Sequence, residues 1–126
     1  MKLYHILFAL LRIAAASAPQ ALEIKPYTPA ALAAAQQADK PYALHFHADW
    51  CPVCRAQSKA LEGLKADKAL ALTVFVVNYD KEKALRKQYG VRTQSTIIVF
   101  VGKVEAARLA GESAEPKIRA ALATAL

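Results

Sequence analysis

The stretch His47-Ala48-Asp49-Trp50-Cys51-Pro52-Val53-Cys54 contains both cysteines of this 126-residue chain. It stands between a β-rich run at residues 42–47 and a helical pattern that extends to about residue 64. The C-x-x-C spacing at the start of a helix lets the two sulfurs meet each other, a substrate or a metal ion. A disulfide within this unit would close too short a loop to stabilise the fold, so we infer that the cysteines serve chemistry.

The elements on either side of this stretch alternate between strand and helix. Thr28-Pro29 is typical of an N-cap followed by the first helical residue, and Gly90 is typical of a helix end. Alternation favours parallel strands with crossover helices in the first half, and the last two strands are predicted to form a hairpin. We therefore predict an α/β fold with a central mixed β-sheet flanked by helices. The predicted order is β-α-β-α-β-α-β-β-α, with strands at residues 21–27, 42–47, 72–79, 95–101 and 104–109 and helices at residues 29–38, 51–64, 82–89 and 113–126.

The chain is basic, with 17 Lys and Arg residues against 10 Asp and Glu residues and a formal net charge of +7. Removal of Lys2 and Arg12 with an N-terminal segment would leave 15 basic against the same 10 acidic residues, or +5. The basic residues are scattered and are not interleaved with aromatic residues in a stripe, which favours solvated helix faces over nucleic-acid binding. The length suits a single domain with one core.

Residues 1–18 have the features of a signal peptide. Lys2 supplies positive charge, residues 6–11 are apolar, and Ala16-Ser17-Ala18 fits a small-x-small cleavage pattern. Pro19 is a poor residue directly after a cut, so cleavage after Ala16 is one alternative. The other is that the segment is an amphipathic helix that stays attached. The apolar run is too short and too charged for a stable membrane span, which needs about 20 apolar residues. We therefore expect a protein that is periplasmic or otherwise exported.

A C-x-x-C unit that follows a strand in a βαβ pattern is typical of a thioredoxin-like redox motif. The stretch quoted above resembles the active-site segment of the thioredoxin family. Tyr89-Gly90-Val91-Arg92, followed by Ser95-Thr96-Ile97-Ile98-Val99-Phe100, resembles the second signature segment of that family, and Gly102 and Gly111 stand where the family has turn glycines. The resemblance covers residues 22–126, and it implies a thioredoxin-like domain with the thioredoxin fold and the activity of a thiol–disulfide oxidoreductase.

Disulfide exchange requires different roles of the two cysteines. The N–H groups and the positive dipole end at a helix N-terminus stabilise a thiolate, which is the nucleophile in this chemistry. Cys51, at the edge of the helix, is therefore predicted to be the reachable nucleophile, and Cys54, one turn further in, is predicted to resolve the mixed disulfide. Pro52 leaves no backbone donor unsatisfied in the first turn. The resemblance places Trp50 beside the thiols as a shield from solvent, and it requires no bound cofactor.

Three positions depart from the family pattern. His45 stands where the family has a buried acid under the resolving cysteine, so it either accepts the proton of the second thiol or is only a packed, hydrogen-bonded residue. Val76 stands in place of the lysine that partners that acid.

The third departure is Ser95, which replaces a cis-proline. Since a cis bond before a residue other than proline costs about 2.5–4 kcal/mol, we predict a trans Gln94–Ser95 bond. The family pairs backbone beside this position with the substrate chain, so Ser95 is expected to offer its backbone groups and its hydroxyl. Four residues are predicted to contact substrate: Trp50, Pro52, Gln94 and Ser95.

The predicted function is thiol–disulfide exchange outside the cytoplasm, in a direction that the sequence leaves open. The expected partners are protein disulfides or dithiols, with a membrane electron donor if the protein reduces and folding client proteins if it oxidises. We expect a monomer that binds no nucleic acid. One alternative is a binding or delivery module for Cu(I) or another soft metal, in which His45 or His47 adds a ligand to the two cysteines. Another is a redox-inert binding module that uses the same groove.

Overall fold

A computed structural model describes residues 21–126 of the chain. The predicted signal peptide at residues 1–18 lies outside the described residues. None of the helices within residues 21–126 combines the length and the apolar character needed to cross a membrane. The elements follow the predicted order, with the bounds β1 (Glu23–Pro26), α1 (Pro29–Gln37), β2 (Pro41–His47), α2 (Pro52–Leu64), β3 (Thr73–Asn78), α3 (Lys83–Tyr89), β4 (Thr96–Val101), β5 (Val104–Ala110) and α4 (Glu115–Ala123).

The strands form one mixed sheet in the order β1-β3-β2-β4-β5. Strand β3 pairs in parallel with both β1 and β2, and the helices α1 and α2 link β1 to β2 and β2 to β3. Strand β4 pairs antiparallel with β2 and with β5, and the register of the β4–β5 hairpin shifts between Val99 and Phe100. This arrangement confirms the predicted thioredoxin fold, with its parallel first half and its C-terminal hairpin.

Helices cover both faces of the sheet, and each face has its own apolar layer. Strand β2 lies in the middle of the sheet and sends alternate side chains to the two layers, as the period of two requires. Ala43 belongs to the layer that contains the buried residues of α2 and α4, so the alternation puts His45 and His47 on the α2 face. The opposite layer, which includes residues of α1 and α3, is built on Tyr42, Leu44, Phe46, Phe75, Val77, Ile98 and Phe100.

Local sequence signals set most of the helix ends. The Thr28 hydroxyl accepts a hydrogen bond from the Ala31 N–H at 3.1 Å, so the predicted N-cap is confirmed. Gly90 ends α3 with a φ of 64°, a left-handed conformation that glycine adopts without strain.

Helix α4 begins two residues later than predicted. Its first residue is Glu115, and the capping residue Ala114 has no side-chain acceptor. The Ala114 N–H binds the Glu112 carboxylate at 3.0 Å, and the Lys117 N–H in the first turn binds the Ala114 carbonyl at 3.1 Å. Glu112 therefore belongs to the loop that leads from β5 into this helix.

Candidate active site

The two cysteines lie at the start of α2, directly after the turn that follows β2. Cys51 is the N-cap residue, and its sulfur accepts a hydrogen bond from the Cys54 N–H at 3.1 Å. Pro52 occupies the first turn, where a missing N–H costs nothing. A sulfur that caps a helix N-terminus receives both an N–H donor and the positive end of the helix dipole, which are the groups that stabilise a thiolate. The geometry therefore suits the nucleophilic role predicted for Cys51.

The two cysteines are less exposed to solvent than the prediction of a reachable nucleophile implies. Both cysteines are free thiols, but only 2% of Cys51 is exposed and Cys54 is fully buried. Ala48 and the half-buried Tyr79 pack in the same small cluster as the two sulfurs. A partner disulfide must therefore dock closely against the surface before Cys51 can attack it.

Burial distinguishes Cys54 chemically from its neighbour. Desolvation raises the pKa of the Cys54 thiol to about 11, and its hydrogen bond with the Cys51 side chain acts in the same direction. Backbone groups of Ala48 and Ser95 lower it in part. Cys54 thus keeps its proton at neutral pH, which suits a residue that acts second; its resolving role stays a prediction.

Trp50 is a surface residue next to the cysteine pair. Its side chain is 59% exposed, and the indole Nε1–H donates to the Asp80 carboxylate at 2.8 Å. Asp80, in the loop after β3, was not identified from the sequence because its partner lies 30 positions earlier. Held by Asp80 and largely open to solvent, the indole is placed to contact a docking partner.

His45 is fully buried beneath the site. Its Nε2 lies 2.9 Å from the Oε1 atom of Gln57, whereas its Nδ1 has no hydrogen-bond partner among the described residues. Desolvation lowers the pKa of His45 from 6.5 to about 4, against a smaller raising effect of Gln57, so the ring is neutral at physiological pH. Val76 is its direct neighbour on β3, at the position predicted from the family lysine. Whether His45 accepts a proton during exchange stays a prediction.

Gln57 is a second site residue that the sequence did not reveal. It is fully buried on α2 and donates from Nε2 to the carbonyl oxygens of Ser95 at 2.8 Å and of Glu112 at 2.9 Å. Its position three residues after Cys54 puts it on the same face of the helix. That periodicity, together with a polar residue on an otherwise apolar face, is the signal that would have identified it.

Ser95 adopts an unusual backbone conformation. The described residues contain no cis peptide bond, so the Gln94–Ser95 bond is trans as predicted, and Ser95 has a φ of 61°. A residue other than glycine in this left-handed region costs on the order of 1–3 kcal/mol. Proline, whose φ is restricted to about −65°, cannot adopt this backbone.

The backbone groups of Ser95 are already hydrogen-bonded within the domain, and its predicted contact with a substrate stays a prediction. Its N–H donates to the Phe46 carbonyl at 3.0 Å, and its carbonyl accepts from the Gly111 N–H at 3.0 Å as well as from Gln57. Because a carbonyl has two lone pairs, these bonds use all of its capacity. The Gln94 N–H makes no hydrogen bond to another described residue, and the predicted contact of Gln94 with a substrate stays a prediction.

Both ring nitrogens of His47 lie near polar side chains of the domain. Its Nε2 lies 2.9 Å from the Asp49 carboxylate and its Nδ1 lies 3.4 Å from the Ser58 hydroxyl. Residues 21–126 contain no group of three or more His, Cys, Asp or Glu side chains arranged to hold a metal ion. The metal-binding alternative therefore has no support in the geometry of the site.

Comparison with known proteins decides the family. The family model described as Thioredoxin matches residues 25–124, nearly the whole of the described part of the chain. This chain belongs to the thioredoxin family. Members of this family are thiol–disulfide oxidoreductases that act on protein disulfides, and the cysteine pair required for that activity is present here as Cys51 and Cys54.

Individual thioredoxins show how close the similarity is. A thioredoxin of Alicyclobacillus acidocaldarius is 32% identical over 90 residues, which cover 71% of this chain and 86% of that protein. A thioredoxin of Rhodospirillum rubrum is 35% identical over 74 residues, which cover 58% of this chain and 71% of that protein. The crystal structure of Trxlp from Edwardsiella tarda has a TM-score of 0.75 and 38% identity, covering 79% of this chain and 98% of that one.

Proposed function

We propose that this thioredoxin-family protein exchanges disulfides with protein partners outside the cytoplasm, with Cys51 as nucleophile and Cys54 as resolving thiol. The observation that carries the assignment of roles is the hydrogen bond from the Cys54 N–H to the Cys51 sulfur at the start of α2. It places the first sulfur at the helix end while the second stays fully buried.

The proposed exchange has two steps. The Cys51 thiolate attacks a partner disulfide, forms a mixed disulfide and releases one partner thiolate. Cys54 then loses its proton and attacks the Cys51 sulfur, which releases the second partner thiolate and leaves a Cys51–Cys54 disulfide. Two electrons pass to the partner, and the reverse sequence oxidises a partner dithiol. The reduction potential of the pair decides which direction operates.

Substrate contacts are proposed for the surface around the cysteine pair. The exposed indole of Trp50 offers an apolar face, and Gln94 offers a backbone N–H for pairing with an extended substrate segment. Pro52 is exposed at the same helix end. The backbone of Ser95 is hydrogen-bonded to Phe46, Gly111 and Gln57, which holds the neighbouring Gln94 in position.

Trapping of the mixed disulfide tests the roles of the cysteines. In Cys54→Ser the first step remains but the mixed disulfide is no longer resolved. A covalent complex with insulin, whose disulfides are intact, should therefore accumulate. Cys51→Ser should form no complex and should not reduce insulin. Ala106→Ser, which introduces the same hydroxyl on an exposed position of β5, is the matched control and should behave as the wild type. A complex formed by Cys51→Ser but not by Cys54→Ser would reverse the assignment.

Export is supported by the N-terminal sequence. Lys2, the apolar residues 6–11 and Ala16-Ser17-Ala18 together have the pattern of a cleaved signal. Expression of the full chain in a host with a periplasm should yield a product shortened by 16 to 18 residues at its N-terminus in that compartment. An uncut chain in the cytoplasm would refute this part of the proposal. We further propose that the exported domain is a monomer and that a membrane protein supplies its electrons if it acts as a reductant.

A further inference from the structure

The side chain of Gln57 connects three separate parts of the domain. From α2 it contacts the His45 ring on β2, the Ser95 carbonyl before β4 and the Glu112 carbonyl after β5. All of Gln57 is buried; its hydrogen bonds to His45 and Ser95 are buried, and the one to Glu112 is partly buried. We call this set of three hydrogen bonds the Gln57 bridge.

The orientation of the amide in the Gln57 bridge has one solution. Its nitrogen lies 2.8 Å from the Ser95 oxygen and 2.9 Å from the Glu112 oxygen, and carbonyl oxygens only accept. The reverse orientation would place the amide oxygen against both carbonyl oxygens without any hydrogen between them. The two amide hydrogens are therefore both used, and the amide oxygen faces His45.

The amide orientation determines the tautomer of His45. The amide oxygen, 2.9 Å from Nε2, can only accept, so Nε2 carries the hydrogen. In the neutral ring the other nitrogen, Nδ1, then has a free lone pair. Nδ1 is buried and has no partner among the described residues, so no other group in this part of the chain imposes the opposite tautomer.

The same amide also holds two loops, and in one of them a backbone group of Ser95 lies near the Cys54 thiol. Ser95 directly follows Gln94, which has the backbone N–H available for a substrate chain, and Glu112 follows Gly111, whose N–H binds the Ser95 carbonyl. Gln57 therefore ties both loops to the helix that carries Cys54, three residues away. The left-handed backbone of Ser95 is kept in place by hydrogen bonds from Gly111 and Gln57 and by its own N–H bond to Phe46.

We propose that Gln57 is a positioning residue, which keeps His45 in the Nε2–H tautomer and holds the Gln94–Ser95 loop at the distance from the cysteines that a protein substrate requires. The part that concerns the loop rests on the proposed function. The part that concerns the tautomer does not, because it follows from the hydrogen bonds alone.

Nitrogen-15 NMR of the imidazole rings tests the tautomer. The wild-type protein at neutral pH should show a single His45 tautomer with the hydrogen on Nε2 and an unprotonated Nδ1. Gln57→Leu should give a mixture of both tautomers, because no other described group then selects one. A wild-type ring with its hydrogen on Nδ1, or an unchanged Nε2–H tautomer in Gln57→Leu, would overturn this part of the proposal. A wild-type ring with its hydrogen on Nδ1 overturns this part of the proposal even if the variant does not fold.

Exchange rates with a large and a small disulfide test the role of the loop. We compare second-order rate constants for insulin and for dithiobis(nitrobenzoate), which needs no pairing with Gln94. Gln57→Leu should lower the insulin rate relative to the small-disulfide rate by roughly five- to tenfold, as expected for loss of one or two well-placed hydrogen bonds. Gln88→Leu, the same substitution at an exposed position of α3, should keep the wild-type ratio.

The outcomes separate failure of the proposal from failure of the proposed function. Equal losses with both disulfides, or no loss with either, would overturn the positioning of the loop by Gln57. A wild-type protein that reacts with neither disulfide would overturn the proposed function and, with it, the loop part of this proposal. The NMR result would still decide the tautomer part in that case.

Discussion

Acidification from about pH 7 to about pH 4 should destabilise this protein through His45. The ring is fully buried, its Nδ1 has no partner, and burial lowers its pKa from 6.5 to about 4. Between these values the unfolded chain binds a proton that the folded protein does not, so the free energy of unfolding falls as the pH falls. Above 6.5 the residue is neutral in both states and has no effect. At about 1.36 kcal/mol per pH unit, the total loss is about 3 kcal/mol.

Urea unfolding of the reduced wild type and of His45→Gln, at several pH values from about 7 to about 4, measures this loss. Hydrogen bonds to the carboxylates also lower the pKa values of Asp67, Glu105 and Glu112. Protonation of these residues in acid therefore lowers the free energy of unfolding as well, but it does so in both proteins. The difference between the two pH curves therefore isolates His45. Ile97→Val, which shortens the neighbour of His45 on β4, is the control, because it costs about 1 kcal/mol without changing a titrating group. Parallel curves for the wild type and His45→Gln would refute the reasoning.

Three further substitutions test the backbone and the core by the same unfolding measurement. Ser95→Gly should raise the free energy of unfolding by about 1 kcal/mol, because glycine adopts a φ of 61° without strain; a decrease would contradict the left-handed conformation. Tyr42→Phe should lower it by about 1–2 kcal/mol, since the buried hydroxyl donates to the Gly102 carbonyl at 2.7 Å; an unchanged value would mean that this bond contributes nothing. Gly102→Ala should lower it by about 2 kcal/mol or more, because φ is 59° and the new Cβ would lie 2.6 Å from the Asp39 carboxylate; stability equal to that of the wild type would show that the turn can rearrange.

Most of the fold was predictable because its signals are local. The Thr28 cap, the start of α2 at the cysteine unit and the end of α3 at Gly90 each depend on residues within a few positions of one another. Alternation of helix and strand in turn limits how the strands can be connected, and the observed sheet is the one that these rules favour. The resemblance of the cysteine stretch to thioredoxins added the family and its chemistry.

The interior of the site was less predictable because its contacts are distant along the chain. Gln57 bonds to carbonyl groups 38 and 55 residues away, and no local pattern indicates that those carbonyls meet at one amide. The engagement of both backbone groups of Ser95 likewise depends on Phe46 and Gly111, which only the sheet brings close. Trp50 and Asp80 are a third example, joined across the ends of β2 and β3.

By itself the sequence determined the order of helices and strands, the mixed sheet, the family and the pair of sulfurs that reacts. These features follow from chain periodicity, capping chemistry and a short motif, all of which act over a few residues. Only the tertiary structure decided that His45 is buried and neutral, that the backbone groups of Ser95 are used within the domain, and that Gln57 connects the two residues. Such properties depend on burial and on donors and acceptors that meet only after the chain has folded, because desolvation and hydrogen bonding act through space rather than along the sequence.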